Sequence, residues 1–250
     1  MSTPTASPVS SPIASPAAPA SCGIVELRQY TLHPGSRDAM ITLFDREFVE
    51  TQEAVGMTII GQFRDLDDPN RFVWLRGFPD MAARGEALTA FYVHGEAWKT
   101  HRAAARATMV DTTNALLLRP AQPDSGFKLP PASQRPGPQA EQRPQSIVMA
   151  EICYLDAPAA NDFVTAAEQA IRSKLVDAGA RLLACLVTEA SENTFPALPV
   201  REGEYVFIWF ASFPNTETCK ALPPAALLED RPIIRSERLR LAPTARSLLV

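Results

Sequence analysis

The sequence predicts an α+β protein made of two tandem ferredoxin-like repeats, each with the element order βαββαβ. Two observations lead to this prediction. An aromatic strand occurs twice, as RFVWLRGFPDM at 71–81 and EYVFIWFASFPNT at 204–216, and both copies contain Trp-x-x-x-Phe-Pro. The strands and helices predicted around the two copies also follow one order. Such self-similarity indicates that the fold arose by internal duplication.

The first repeat is predicted at residues 23–120. GIVELRQYTL at 23–32 alternates apolar and polar side chains, as a half-buried strand does. Apolar residues at helical spacing over 37–54 predict a helix that rests on the sheet and ends at Gly56. The remaining predicted elements are strands at 57–66, 72–78 and 113–119, a short helix capped by Asp80 and a longer helix at about 96–109.

The second repeat is predicted at residues 146–250. Its predicted elements are strands at 146–155, 181–189 and 204–213, a helix at 161–178, helical sequence from Glu217 that Pro223, Pro224 and Pro232 interrupt, and a closing strand SLLV at 247–250. SLLV is matched to ALLL at 115–118 in the first repeat. The hairpin at 191–203 is longer than its counterpart in the first repeat.

Two segments are predicted to lie outside the repeats. Residues 1–22 are rich in Pro, Ser and Ala and lack the basic and apolar parts of a secretory signal, which predicts a disordered tail or translation from an upstream start. Residues 121–145 are rich in Pro and polar residues, so they are predicted to bury nothing and to act as a linker.

Composition excludes several functional classes. The net charge of −4 lacks the basic surplus of a nucleic-acid-binding protein, and no apolar run reaches the roughly 20 residues of a membrane helix. The four cysteines are scattered without a Cys-x-x-Cys pair, which predicts no metal site and suits a reducing, cytoplasmic location. We therefore expect neither nucleic acid nor a membrane as a partner.

The aromatic strand of the second repeat is apolar on both faces. One face carries Tyr205, Phe207, Trp209 and Phe213, and the other carries Val206, Ile208 and Phe210. A sheet with helices on one side needs a cover for its other side. The first repeat supplies that cover if a barrel closes within one chain, whereas a second copy supplies it in a homodimer. The sequence leaves both arrangements open.

Four segments resemble the NIPSNAP domain, a member of the dimeric α/β-barrel superfamily. They are VELRQYTLHPG at 25–35, WLRGFPDM at 74–81, FYVHGEAWKTHR at 91–102 and TNALLLRP at 113–120. The resemblance covers about residues 23–120. It implies a dimer-prone barrel whose relatives mostly have no established activity, and it places the chain near cofactor-free monooxygenases and some haem enzymes that share the fold.

Charged and aromatic residues share strand faces in the first repeat. The candidate ligand-binding residues are Glu26, Arg28 and Tyr30 on the first strand and Trp74 and Arg76 on the third. If these faces line the barrel, they form a pocket for an aromatic or carboxylated small molecule. The alternative is an ion pair of Glu26 with an arginine that only neutralises a buried face.

A second candidate group lies at helical spacing. His94, Trp98, His101 and Arg102 occupy positions i, i+4, i+7 and i+8. Either histidine has the chemistry of a general base or of a haem ligand. Trp98 and Arg102 are further candidate ligand-binding residues. The alternative is that His94 caps the helix and Trp98 belongs to the core.

The second repeat lacks this motif. Aligned through SLLV, the residues opposite His94, Trp98 and His101 are Ala226, Asp230 and Ile233. Any chemistry is therefore predicted for the first repeat alone.

The sequence thus predicts a NIPSNAP-like α/β barrel that binds a small apolar or aromatic ligand in the barrel of the first repeat, without a cofactor. Two alternatives stay open. One is a cofactor-independent monooxygenase-like or isomerase-like enzyme with His94 or His101 as base. The other is a haem-binding barrel.

Overall fold

The computed structural model describes residues 22–222 and 233–250. The tail predicted at 1–22 therefore lies outside the described residues, apart from Cys22. The interrupting prolines at 223, 224 and 232 also lie outside them.

The first half of the chain is a sheet with helices packed on one side. Its strands are β1 (Ile24–Leu32), β2 (Thr58–Asp65), β3 (Arg71–Phe78), β4 (Met109–Asp111) and β5 (Ala115–Pro120). Its helices are α1 (Arg37–Leu43), α2 (Val49–Glu53), α3 (Met81–Thr89) and α4 (Glu96–Arg106). A π-helical segment at Phe44–Phe48 joins α1 to α2, and another at Ala90–His94 follows α3. π-helical turns are rare and frequently mark functional sites. These two segments therefore indicate a candidate region for a functional site.

The second half repeats the alternation of strands and helices. Its elements are β6 (Ile147–Leu155), α5 (Asn161–Asp177), β7 (Arg181–Thr188), β8 (Tyr205–Phe213), α6 (Thr216–Ala221) and β9 (Ile233–Pro243). Over the described parts of the chain, no helix has the length and apolar character needed to span a bilayer.

The closing strand of this half is β9, so the prediction of a strand at 247–250 is wrong. β9 pairs with β6 along its length in antiparallel register, while Leu248 and Leu249 are buried after the chain has turned at Thr244. The strand at SLLV is predicted from its apolar character alone, whereas backbone pairing decides which segment forms a strand. The alignment through SLLV fails with it, and of the residues it used, Ala226 and Asp230 lie outside the described ranges.

Eight antiparallel strands close a barrel within one chain. The order is β3-β2-β9-β6-β8-β7-β5-β1, and β1 pairs with β3 to complete the circle. The two halves meet at two seams, where β2 pairs with β9 and β5 with β7. Closure within the chain therefore covers the bare face of each sheet.

The barrel interior is a packed apolar core. Each of the eight strands contributes to it, for example through Val25, Ile60, Val73, Leu116, Ile152, Leu186, Ile208 and Leu239. Because side chains alternate along a strand, the residues between these positions lie outside the barrel under the helices. In the second half, Phe207 and Trp209 pack there against α5. The prediction that both faces of this strand are buried is confirmed except at its first residue, Tyr205, which is 37% exposed.

The segment predicted as a linker contributes to the barrel core. Phe127 and Leu129 are 7% and 9% exposed, and the Phe127 ring centroid lies 5.1 Å from that of Phe210. The backbone N–H of Cys185 donates to the carbonyl of Ser125, which anchors the segment to β7. The prediction that residues 121–145 bury nothing is therefore wrong, because alternate apolar side chains within a polar segment suffice to bind it.

The two Phe-Pro turns cap their helices in the same way. Asp80 Oδ1 accepts a hydrogen bond of 2.8 Å from the N–H of Ala83, and Asn215 Oδ1 accepts one of 2.9 Å from that of Thr218. Each side chain satisfies a backbone donor that has no partner within the helix.

We expect Asp80→Ala to lower the free energy of unfolding by about 1 kcal/mol, because the N–H of Ala83 loses its acceptor. Urea denaturation measures the loss. Asp80→Asn retains an oxygen at the same position and is the matched control. Equal losses in the two variants would show that the cap contributes nothing specific.

Candidate functional site

The polar residues predicted for the first half lie together, but outside the barrel. Glu26 is paired with Arg76 across β1 and β3, and Arg28 is paired with Trp74. Their faces pack under the helices, whereas the intervening residues fill the barrel. The expectation that Glu26, Arg28, Tyr30, Trp74 and Arg76 line the barrel interior is therefore wrong. Strand alternation put them on one face without specifying the side to which it turns.

One carboxylate holds three arginines at this face. Glu26 accepts hydrogen bonds from Arg28 at 3.0 Å, from Arg76 at 2.7 Å and from Arg84 at 2.6 Å. All four side chains have 0% solvent exposure. Within the described residues no other carboxylate forms an ion pair with these arginines. We call these four residues the arginine cluster, and it carries two surplus positive charges.

The cluster stays fully ionised at neutral pH. Burial on its own would raise the pKa of Glu26, but the charges of the three arginines outweigh it and hold that pKa well below its usual range. Burial on its own would lower the pKa of Arg76, but its attraction to Glu26 outweighs burial and raises that pKa. Burial lowers the pKa of Arg84, yet arginine normally titrates far above neutrality. The surplus charge therefore persists across the physiological range.

Arg84 belongs to the site although no sequence prediction names it. It lies on α3 with Ala87 and Leu88, and these three residues form the buried face of that helix. An arginine at i, with apolar residues at i+3 and i+4, is the signal that identifies it. A charged residue on the buried face of a short helix predicts a buried partner.

A cavity of about 180 Å³ lies beside the arginine cluster, between the β1/β3 face and the helices. Seven aromatic rings line it, those of Tyr30, Phe44, Phe48, Trp74, Phe91, Tyr92 and Trp98. Four of the seven belong to the two π-helical segments. The irregular helices therefore supply most of the aromatic wall.

The long hairpin of the second half forms one wall of this cavity. Ala197, Leu198 and Pro199 line it, and Arg84 donates hydrogen bonds of 3.0 Å to both Asn193 and Thr194. The sequence shows that this hairpin is long, but only the fold shows that it crosses to the first half. The site is thus built from both halves of the chain.

The floor of the cavity presents hydrogen-bond donors. Tyr30 Oη accepts from Arg28 Nε and Tyr92 Oη accepts from Arg76, each at 3.2 Å. No bond in the described ranges uses the proton of either hydroxyl, and Trp74 Nε1, which is buried, has no partner there. Three donors on this floor are therefore available to a ligand, and the Arg106 side chain also lines the cavity.

The helical candidates are separated by the structure. Trp98 lines the cavity and is half-buried, but His94, His101 and Arg102 do not line it. His94 is exposed before the break at Gly95, and His101 Nε2 lies 3.3 Å from a carboxylate oxygen of Glu47. Because α4 begins only at Glu96, His94 does not continue its stripe, and no side chain in the described ranges caps the start of α4.

Comparison with known proteins identifies the family of the first half. The NIPSNAP family model matches residues 25–123, which confirms the resemblance. A proposed monooxygenase from Lactobacillus acidophilus has a similar fold, with a TM-score of 0.54 and 11% identity over 92% of this chain and 100% of its own. An anthrone oxidase-like protein has a TM-score of 0.50 and 10% identity over 88% of this chain and 91% of its own.

A NIPSNAP-like domain protein from Burkholderia xenovorans is 29% identical over 43% of this chain and 91% of its own, with a TM-score of 0.38. No curated protein matches the chain significantly. The two monooxygenase- and oxidase-like structures share the fold of this chain. Their sequence identity to it is too low to indicate its reaction.

Proposed function

Because residues 25–123 form a NIPSNAP domain, we propose that this domain binds a small apolar or aromatic molecule in the cavity beside the arginine cluster. The aromatic wall is the observation that supports it most directly. An apolar cavity of about 150 Å³ is known to hold benzene, so a volume of about 180 Å³ accommodates a single substituted ring. The site lies outside the barrel, because apolar side chains already fill the interior.

The three tryptophans of the chain allow a direct test. Trp74 and Trp98 line the cavity, whereas Trp209 lies in the apolar core under α5. We expect toluene to shift the indole N–H resonances of Trp74 and Trp98 in a heteronuclear NMR titration and to leave that of Trp209 in place. Leu198→Phe, which adds volume at the cavity wall, should weaken binding. Equal shifts at all three indoles would contradict a specific site.

The histidine-based alternative has no geometric support. A general base or haem ligand must touch the bound molecule, and neither His94 nor His101 lines the cavity. We expect His94→Ala and His101→Ala to change toluene affinity less than about twofold, since each removes no contact with the ligand. A loss of binding in either variant would revive the enzyme hypothesis. A Soret band after haem addition would revive the haem hypothesis.

We also propose that the fold is a duplication of one ferredoxin-like unit, as the sequence predicted. When the three-residue strand β4 is left out, the sheet order in each half is fourth, first, third and second strand, namely β5-β1-β3-β2 and β9-β6-β8-β7. Arg76 lies two residues after the repeated tryptophan of the first half and pairs with Glu26. In the second half, Ala211 lies two residues after the repeated tryptophan and pairs with Met149. The apolar pair explains why we place the binding site on the β1/β3 face and not on the equivalent face of the second half.

The single chain is the functional unit in this proposal. Since the barrel closes within the chain, a homodimer is not needed to cover either sheet. Light scattering after gel filtration tests the homodimer prediction. A cytoplasmic location also stays a proposal, supported by four cysteines that form no disulfide.

A further inference from the structure

The arginine cluster carries more positive charge than its surroundings neutralise. Glu26 balances one of three buried guanidinium groups. Their other partners are uncharged. They are oxygens such as Gln52 Oε1, the backbone carbonyl of Thr112 and Asn193 Oδ1, a methionine sulfur and the faces of aromatic rings. Removing an unpaired charge from water is costly, and neutral dipoles recover only part of that cost. The protein therefore keeps uncompensated positive charge next to an open cavity.

Two tyrosines connect the arginine cluster to the cavity through hydrogen bonds. The oxygen of Tyr30 already accepts from Arg28, and that of Tyr92 accepts from Arg76, so both hydroxyl protons remain for another acceptor. A phenol that accepts from a cation becomes a stronger donor, because hydrogen bonds in a chain polarise one another. Both rings line the cavity. The floor thus favours an acceptor that bears negative charge.

The indole of Trp74 adds a third donor. Its Nε1 is buried without a partner in the described part of the chain, and the residue is 1% exposed. Buried donors normally have partners, so an orphan beside a cavity indicates a group that binds there. The Arg76 guanidinium lies 4.9 Å from the centre of the Trp74 ring, so this indole is close to the surplus charge.

We propose that the ligand of this cavity is a small aromatic oxyanion, whose charged oxygen accepts hydrogen bonds from Tyr30 and Tyr92 while its ring contacts the aromatic wall. This inference rests on the proposed function and specifies the chemical class of the ligand. A carboxylate, phenolate or enolate meets the same requirement, because each presents a charged oxygen on a planar apolar frame. The arginines act through the tyrosines and the field they create.

An internal tyrosinate is the competing way to neutralise the cluster. Burial raises the pKa of Tyr92, which keeps this hydroxyl protonated near neutral pH despite the neighbouring arginines. The phenol therefore acts as a donor and leaves the charge to be met from outside.

Calorimetric titration of the whole chain with benzoate, benzamide and toluene tests the inference. Benzoate and benzamide have nearly the same shape and differ in charge. We expect benzoate to bind at least about tenfold more tightly than benzamide, because hydrogen bonds to a charged acceptor are the stronger kind. Equal affinities for the two would overturn the inference.

Tyr92→Phe removes one donor and keeps the ring. We expect it to weaken benzoate binding at least about tenfold and to leave toluene affinity within about twofold. Tyr154→Phe is the matched control, because Tyr154 also accepts from an arginine, Arg201, but lies outside the cavity. If Tyr92→Phe binds benzoate as the wild type does, the anion site is wrong.

The outcomes separate this inference from the proposed function. Toluene binding without preference for benzoate over benzamide retains the aromatic site and removes the anion. Failure of all three compounds to shift Trp74 and Trp98 removes both. If benzoate affinity falls equally in Tyr92→Phe and Tyr154→Phe, the loss does not depend on the hydroxyl in the cavity. The anion site would then be wrong.

Discussion

Glu26→Gln is expected to lower the free energy of unfolding by about 3–5 kcal/mol, although the two side chains have the same shape. Glu26 is the sole anionic partner of Arg28, Arg76 and Arg84 in the described structure, and all four side chains are fully buried. The substitution leaves three guanidinium groups without a counter-charge and turns two acceptor oxygens into one acceptor and one donor. Urea denaturation measures the loss.

Glu96→Gln is the matched control, since it breaks an exposed ion pair with Lys99. Exposed pairs contribute little, so this variant should lose less than about 1 kcal/mol. If Glu26→Gln fails to fold, the double variant Glu26→Gln/Arg84→Met, which removes one of the three charges, should recover folded protein. A loss in Glu26→Gln no larger than the control's would show that the arginines do not depend on this carboxylate.

The contribution of Glu26 should also depend on pH. Its pKa is lower in the folded state than in the unfolded state, so the unfolded chain binds the proton first as the pH falls. The stabilisation is complete above the unfolded pKa of about 4.3 and decreases toward the depressed folded value. The difference in unfolding free energy between wild type and Glu26→Gln should therefore shrink between about pH 5 and pH 3. A constant difference over this range would contradict the ionised assignment.

Phe127→Ala is expected to cost about 3–5 kcal/mol, a loss typical of a buried ring. The residue lies in the segment at 121–145, yet its ring packs against Phe210 in the barrel core. Truncation leaves a cavity in the barrel core beside Phe210. Thermal and urea denaturation measure the effect.

Lys128→Ala is the control for this segment. Lys128 is the next residue and is exposed, so its substitution should change stability by less than about 0.5 kcal/mol. Similar small changes in both variants would restore the view of residues 121–145 as a simple linker.

Local patterns were enough to predict most elements of the first half. β1 is predicted at 23–32 and found at Ile24–Leu32, and Asp80 caps α3 as expected. These features depend on neighbouring residues, through side-chain alternation and one short hydrogen bond, so they can be read directly from the chain. The family of the first half was also recognisable from its motifs, and the family model confirms it.

The candidate site was only partly predictable. Alternation placed Glu26, Arg28 and Tyr30 on one face of β1, and the helical pattern carried an unused signal for Arg84. The covering hairpin was visible as an insertion, but its contact with Arg84 spans 110 residues for Thr194. Contacts over such separations leave no local pattern in a single sequence.

By itself, the sequence determined which residues share a strand face, where helices begin and which family the first half belongs to. Tertiary structure alone decided that the polar face of β1 and β3 lies under the helices, that β9 closes the second sheet and that Phe127 enters the barrel core. The physical reason is that alternation defines two faces without naming the inner one. Which face turns inward follows only when the eight strands pair and apolar side chains from both halves fill one common interior.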